Sequence, residues 1–387
     1  MKLPRERILL LVLLAAAVAV WWLALGELND DLTITVLDVG QGDCILVQAP
    51  GGMTMLVDAG GRPGQEAGGW DVGREVVVPA LMARGVRKID VLVMTHPHED
   101  HIGGMAAVLD AVPVGLVLDP MLGSDSDTYE KLLAVIEERE IVHHRATEGQ
   151  RLNLGRGIYA EVLNPPDPRL NTASDLNDNS VVLRLVYDEV SVLLAADIER
   201  TGALRMAKLG PEVGSTILKV PHHGSAGPAV REFMDAVSPS LAVISVGEEN
   251  TFGHPADEML RELERVGAKI MRTDRDGAVT ITVRPPEWWA VGMSRKGREE
   301  KVMGEVALWR FLHYGNARHI HAERKEPAGE TRSLRSGQAP LRPPVSVSLA
   351  SGAPGDHYNR KSVRLQKSMR GSPYSRPHAV NMTQDTL

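Results

Sequence analysis

Three histidines and two carboxylates fall within six consecutive residues, His96-Pro-His-Glu-Asp-His101, just after the apolar run Val91–Met94. A short buried strand that ends in so many ligand groups leaves few folds open, because the strand must deliver them to a shared, partly enclosed site. His96 and His98 lie two apart, so in an extended segment they share a face, and in a loop they can pinch one ion. Asp100 and His101 are adjacent, so their side chains diverge and can reach a second ion. Pro97 stiffens the turn between ligands, and Gly103 and Gly104 let the following helix start close to the site. Imidazole and carboxylate without thiolate suit zinc, manganese or iron. A solvated loop would need polarity, but not this arrangement.

Other strand-like runs end in the same kind of residue. Asp197 closes VSVLLAAD and could bridge two ions about 3.5–4 Å apart; as an N-cap for the next helix it would also fit. His222 and His223 follow ILKV in PHHGS, and which of the two is a ligand stays open at this level. His254 follows LAVISV in NTFGHP. Asn177, Asp178 and Asn179 precede a strand and read as a turn, with Asn179 a candidate extra ligand. Asp58, at the end of MTMLVDAGG, and Asp43, in VGQGD, are expected to orient ligands through hydrogen bonds rather than bind metal. His143 and His144 follow an amphipathic helix and are read as surface residues of a connector.

The rest of the chain is organised around these ends. From Leu32 the apolar period is two, and ITVLDVGQGDCILVQAP and MTMLVDAGG read as two strands joined at Pro50-Gly51-Gly52. Residues 72–84 read as a helix stopped by Gly85. Strands dominate early, and strand–helix alternation follows, which predicts an α/β fold of four layers, two packed sheets with helices outside. This body is expected to span residues 29–287. Residues 1–28 hold Lys2, Arg5 and Arg7 ahead of an apolar run, 8–25. About 18 residues at ~1.5 Å rise span most of a ~30 Å hydrocarbon core. The positive flank orients such a transmembrane helix with the body outside the cytoplasm, as a single-pass membrane protein; a cleaved signal segment, giving a secreted body, is the alternative. Residues 288–387 carry about 17 Lys and Arg against about 8 Asp and Glu and read as a basic, low-complexity, disordered tail. The formal net charge of -7 therefore sits on an acidic body, which argues against a long phosphate-binding track. The single cysteine, Cys44, excludes a disulfide framework and a Cys-rich zinc module.

The motif run now carries a resemblance. HPHEDH matches the HxHxDH signature of the metallo-β-lactamase superfamily. LDVGQGD (37–43), LVDAGG (56–61), MTHPHEDHIGG (94–104), DNSVVLRL (178–185), LLAAD (193–197), LKVPHHGS (218–225) and NTFGHP (250–255) occur in the order seen in the extracytoplasmic domain of ComEC-type DNA-internalisation competence proteins. The resemblance covers about residues 32–284. It implies an αββα metallo-β-lactamase-like sandwich and a hydrolase with two divalent ions, zinc or manganese. By that likeness His96 and His98 hold one ion, Asp100 and His101 the other, and Asp197 bridges. One of His222 and His223 completes the second ion's shell, and the other, or His254, faces the substrate. Two departures stand out: Asn179 occupies the place where the superfamily often has a histidine, and Ala196 the place of the usual glycine before the bridging aspartate. Full-length competence proteins also carry a multi-helix channel, whereas this chain has one apolar segment, so separate DNA-channel proteins are the implied partners.

The expected activity is an extracytoplasmic phosphodiesterase or nuclease acting on DNA. The alternatives are another phosphoester hydrolase (phosphocholine esterase-like), a lactone or β-lactam hydrolase, or a non-catalytic DNA-binding accessory domain. Arg62, Arg74 and Lys219 are the cations nearest the motifs in sequence, so single-stranded DNA or short phosphodiesters are expected over long duplex.

Overall fold

Alternation along β2 (Ile45–Gln48) sends Ile45 and Val47 to one apolar layer and Leu46 to another, so this strand is covered on both faces. The same holds for β3 (Thr54–Val57) and β4 (Ile89–Val93), whose residues are all buried. A sheet covered on both faces needs a partner on each side. The computed structural model describes residues 7, 12–18, 31–62, 69–293, 299–305 and 347–349, and among these residues two sheets supply that arrangement.

The chain first builds six strands of one sheet: β1 (Leu32–Val36), β2, β3, β4, β5 (Val114–Asp119) and β6 (Val142–Arg145). It then builds the second sheet from β7 (Gln150–Gly155), β8 (Ile158–Asn164), β9 (Val182–Tyr187), β10 (Val190–Leu194), β11 (Ile217–Lys219), β12 (Leu241–Ile244) and β13 (Lys269–Arg272). Finally β14 (Val279–Arg284), β15 (Glu287–Met293) and β16 (Glu299–Glu305) return to the first sheet, and β17 (Val347–Leu349) pairs with β7. The orders are β16-β15-β14-β1-β2-β3-β4-β5-β6 and β13-β12-β11-β10-β9-β8-β7-β17.

One apolar layer lies between the sheets, where Val91, Val93 and Leu118 join Leu183, Leu185, Val192 and Leu194. Helices cover the outer faces. Leu81 of Val78–Ala83, Val108 of Met105–Ala111, and Leu132 and Ile136 of Asp127–Glu138 pack on the first sheet. Met206 of Arg200–Lys208, Phe233 of Arg231–Val237, and Leu263 of Asp257–Arg265 pack on the second. The expected α/β/β/α layering is therefore present. In Asp127–Glu138 the apolar positions recur at helical spacing, and the Ser126 hydroxyl accepts from the Tyr129 N–H at 3.3 Å, capping the helix.

Four neighbouring strands of each sheet are parallel. β3, β4, β5 and β6 run together, as do β10, β11, β12 and β13. Parallel strands align their C-terminal ends on one rim, and the loops after them are the natural place for a site. The ends of β4, β10, β11 and β12 lead into His96, Asp197, His222-His223 and the loop that carries His254.

Three readings are corrected. ITVLDVGQGDCILVQAP is not one strand: residues 37–44 form a loop between antiparallel β1 and β2, closed by the Leu37 N–H to Cys44 carbonyl bond at 2.9 Å. The body does not stop near Glu287, because β15 and β16 extend the first sheet beyond it. Trp288 is buried there in the inter-sheet layer; alternation in EWWAV was the available signal. His143 and His144 are not connector residues but lie on β6, half-buried, and His143 Nε2 donates to buried Asp119 at 3.0 Å. The Tyr129 hydroxyl donates to the same carboxylate at 2.7 Å. Burial and then Asp119 push the Tyr129 hydroxyl pKa far up, so this group is a structural strut.

Of the apolar run 8–25, residues 12–18 are helical, and the rest lies outside the described residues. Among the described residues no helix is long and apolar enough to cross a membrane. The tail expected to be disordered also lies outside them, apart from 288–293, 299–305 and 347–349.

Trp288→Ala should lower unfolding free energy by ~3–5 kcal/mol, measured by denaturant titration. A protein cut after Glu287 should be destabilised relative to one ending at Glu305. Equal stability of the two would mean that β15 and β16 are not part of the fold.

Candidate metal centre

The loop after β4 turns at His96 and enters a short helical turn, Glu99–Ile102. Asp100 and His101 therefore stand on a helix rather than in an open loop, while His96 and His98 precede it. Backbone from two other loops packs directly against this turn. Asp43 N–H donates to the Asp100 carbonyl at 3.2 Å, and Ala59 N–H to the His101 carbonyl at 2.8 Å. The approach is close enough to require glycine: a Cβ on Gly42 would lie 2.1 Å from the Asp100 carbonyl oxygen, and one on Gly61 1.9 Å from that of Glu99.

Four imidazole Nε2 atoms converge on one oxygen, Asp197 Oδ2. His101 lies at 3.1 Å, His223 at 3.4 Å, His222 at 3.7 Å and His96 at 4.0 Å. Each ring is aimed by its other nitrogen. His101 Nδ1 donates to Asp58 at 2.7 Å, His223 Nδ1 to the Ser245 carbonyl at 3.0 Å, and His222 Nδ1 to Glu199 at 2.7 Å. His96 Nδ1 lies 3.0 Å from the Thr95 hydroxyl, which itself donates to Asp58 at 2.6 Å. Holding Nδ1 in this way leaves Nε2 as the free ligand atom.

The charges explain one another. His101 is buried, which alone would depress its pKa, but Asp197, Asp100 and Asp58 outweigh burial and push it well up. His223 is likewise raised against burial, chiefly by Asp197 and Asp100. Burial opposes ionisation of Asp197 and Asp100 too, yet His223 and His101 hold both carboxyls below the usual carboxylate range. His96 is the exception: burial, then the charge of His101, hold its imidazole neutral. Burial lifts Asp58, and His101 and Thr95 offset this only in part.

Divalent ions fit these residues. Ligand atoms of Asp100, His101, Asp197 and His223 all lie within 4.8 Å of one another. The buried His96 Nε2 and Asp197 Oδ1 have no hydrogen-bond partner, a costly state that coordination would relieve. The donors, imidazole and carboxylate, are those of zinc and manganese sites. The two adjacent histidines are placed differently. Both have left-handed φ, 46° and 52°, but His223 points inward and is buried, while His222 lies at the mouth with a quarter of its side chain exposed. His98 stands with its ring 4.7 Å from that of His96. His254 lies outside the cluster, its ring 5.8 Å from that of His222.

The structure does not bring Asn179 into the cluster. Its amide nitrogen donates to the Leu170 and Asp175 carbonyls at 2.9 and 2.8 Å, and its Oδ1 accepts from Leu170 N–H at 2.8 Å. The group is consumed in bracing the loop before β9. Asp178 serves the helix after Asp197: its carboxylate accepts from Glu199 and Gly202 N–H at 3.0 and 2.8 Å. That role had been open to Asp197, which instead keeps its carboxylate for the cluster. Asp43 Oδ1 lies 3.5 Å from His223 Nδ1, and Asp43 also holds an ion pair with Lys219. Lys219, read as a cation for phosphates, is buried and committed to Asp43. Thr95, Glu199 and Ser245 were missed. Thr95 and Glu199 each neighbour a ligand motif, but Ser245 acts through its carbonyl, which no side-chain pattern reveals.

Strand-end ligands on a two-sheet sandwich define the class. A sequence profile of the metallo-beta-lactamase superfamily matches residues 37–248, and the chain belongs to that superfamily. Within it, the chain is similar to competence proteins. It is 30% identical over 285 residues to ComE operon protein 3 of Bacillus subtilis (strain 168), covering 67% of this chain and 35% of that protein. It is 31% identical over 252 residues to Competence protein ComA of Neisseria gonorrhoeae, covering 65% and 32%. The chain thus spans about a third of the length of these relatives. Among solved structures, Igni18, a metallo hydrolase from Ignicoccus hospitalis KIN4/I, aligns with a TM-score of 0.41 at 16% identity, over 71% of this chain and 100% of that one.

Asp58→Asn should reduce divalent-metal affinity ~10- to 100-fold by loosening His101, measured by calorimetric titration; unchanged affinity would show that His101 needs no orienting partner. Lys219→Met should cost ~3–5 kcal/mol of stability, because it leaves Asp43 buried without its cation. Chemical denaturation reads that loss.

Proposed function

We propose that this protein is a metal-dependent phosphodiesterase that acts on DNA, preferring single strands. The observation that carries the reading is the convergence of four imidazoles on Asp197 beside an unpartnered His96 Nε2 and Asp197 Oδ1. In this reading His96 and His98 hold one divalent ion, Asp100, His101 and His223 the other, and Asp197 lies between them. Two such ions, zinc or manganese, would supply a water acidified toward neutrality and positive charge against the electrophile. A phosphodiester suits two cations because attacking and leaving oxygens can be stabilised together.

The protein's own residues supply the proton. His222 stands at the mouth, and Glu199 accepts from its Nδ1 at 2.7 Å. That bond aims Nε2 at the cluster, 3.7 Å from Asp197 Oδ2, where a proton carried on it could pass to the leaving alkoxide. His254, next in line, is held neutral by burial and by the nearby His222, so it is the poorer donor. Lys219, one of the cations nearest the motifs, is sealed against Asp43, which supports single strands or short diesters over long duplex.

The likeness to competence proteins supports a role in DNA uptake, with separate DNA-channel proteins as partners. The basic flank and apolar run of residues 2–25 support a membrane anchor with an extracytoplasmic body.

Turnover of single-stranded DNA, duplex DNA, a chromogenic phosphodiester and a lactone, assayed with manganese or zinc, tests the activity. Single-stranded DNA should be cleaved fastest, and Asp197→Ala should abolish nearly all turnover. Rapid lactone opening without phosphodiester cleavage would move the protein to lactone hydrolysis, and metal binding without any turnover would favour a non-catalytic DNA-binding role. Protease added to intact cells should remove the body; protection until lysis would reverse the orientation.

A further inference from the structure

Beyond the histidine cluster the loop from Gly247 to Pro255 presents one apolar side chain to solvent. Phe252 is 68% exposed. A lone exposed phenyl is ordinary; its place in a line of rings is not. The Phe252 ring stacks on His254 at 5.8 Å with planes 18° apart. The His254 ring lies 5.8 Å from His222, whose Nε2 is 3.7 Å from Asp197 Oδ2. The rings thus follow one another from the cluster to the exposed phenyl, and successive bases of a single strand can meet aromatic side chains in such a series.

The loop holds this ring in place. Asn250 Nδ2 donates to the Gly247 and His254 carbonyls, both at 2.9 Å, and its Oδ1 accepts from His254 N–H at 3.0 Å. Gly247 N–H donates to Gln41 of the 37–44 loop at 3.2 Å. The Phe252 backbone is thus pinned on both sides and its outer ring face is left open. The loop's own charges do not hold a phosphate: Glu248 and Glu249 are acidic, and Lys219 is buried against Asp43.

We infer that Phe252, backed by His254, is a stacking platform for an unpaired nucleobase next to the phosphate being cleaved. This deepens the phosphodiesterase reading and rests on it. Stacking tolerates any base but requires a free face, so the platform selects single strands without reading sequence.

The test uses the full chain as wild type, Phe252→Ala and Phe252→Trp. Binding of a fluorescent oligothymidylate, and of an equal-length strand of abasic residues, is measured by anisotropy in EDTA. Cleavage of thymidine 5′-p-nitrophenyl phosphate and of methyl p-nitrophenyl phosphate is measured with manganese. Phe252→Ala should weaken oligothymidylate binding ~5- to 100-fold and leave abasic binding unchanged. It should raise KM for the thymidine ester with little change in kcat and spare the methyl ester. Phe252→Trp should restore both. Equal binding of the two strands by wild type, or equal losses on both esters, would overturn the platform and leave Phe252 as a support for His254. Base-dependent binding with neither ester cleaved would sink the phosphodiesterase reading and keep the platform. Ester cleavage that Phe252→Ala leaves untouched would do the reverse.

Discussion

Four imidazole nitrogens share one carboxylate oxygen, and the rest of the molecule is arranged to make that tolerable. Taking Asp197, His96, His101 and His223 out of water is costly unless each charge is matched and each remaining polar atom is bonded. The matches come from far apart in the chain. Asp58 follows β3, Thr95 and Asp100 follow β4, Asp197 follows β10, and Ser245 follows β12. Because β3 and β4 belong to the first sheet and β10 and β12 to the second, the cluster clamps the two sheets at one rim. A change in one carboxylate is therefore felt on both sheets.

The clamp requires backbones to approach more closely than side chains allow. Gly42 and Gly61 let the loops after β1 and β3 lie against the Glu99–Ile102 turn, which is why the motifs around Asp43 and Asp58 are glycine-rich. Ala196 shows the limit of this rule. It adopts a left-handed φ of 46° with a methyl group in place, at a strain of ~1–2 kcal/mol that the surrounding hydrogen bonds outweigh. Asp58, His222 and His223 adopt the same region, so the ligand-bearing ends are bent where the strands stop. Such strain is common where function dictates the backbone.

Much of this was legible because it is periodic or locally dense. Strands alternating around 32–57 and 182–194 and the helix at 127–138 follow from apolar spacing alone. HPHEDH, Asp197 and PHHGS advertise themselves as ligand groups at apolar strand ends. The misreadings share a cause. The 37–44 loop hides in an apolar sequence because Leu37, Val39 and Cys44 are buried in the loop itself. Asn179 and Lys219 looked interchangeable with functional groups, since an amide or an amine carries the same local signature whether it meets a metal, a phosphate or another protein group.

By itself the sequence determined the layers and the strand ends at which histidines and carboxylates gather, because each depends on residue type and short-range spacing. Only the tertiary structure decided which of two adjacent histidines turns inward, that Asp178 rather than Asp197 caps the helix, that Lys219 is sealed against Asp43, and that Phe252 stands at the end of a line of rings. Those outcomes depend on direction and on partners that the fold brings in, as Lys219 meets Asp43 across 176 residues and His223 meets Asp100 across 123. A linear chain records the groups, but it does not record which way each one faces.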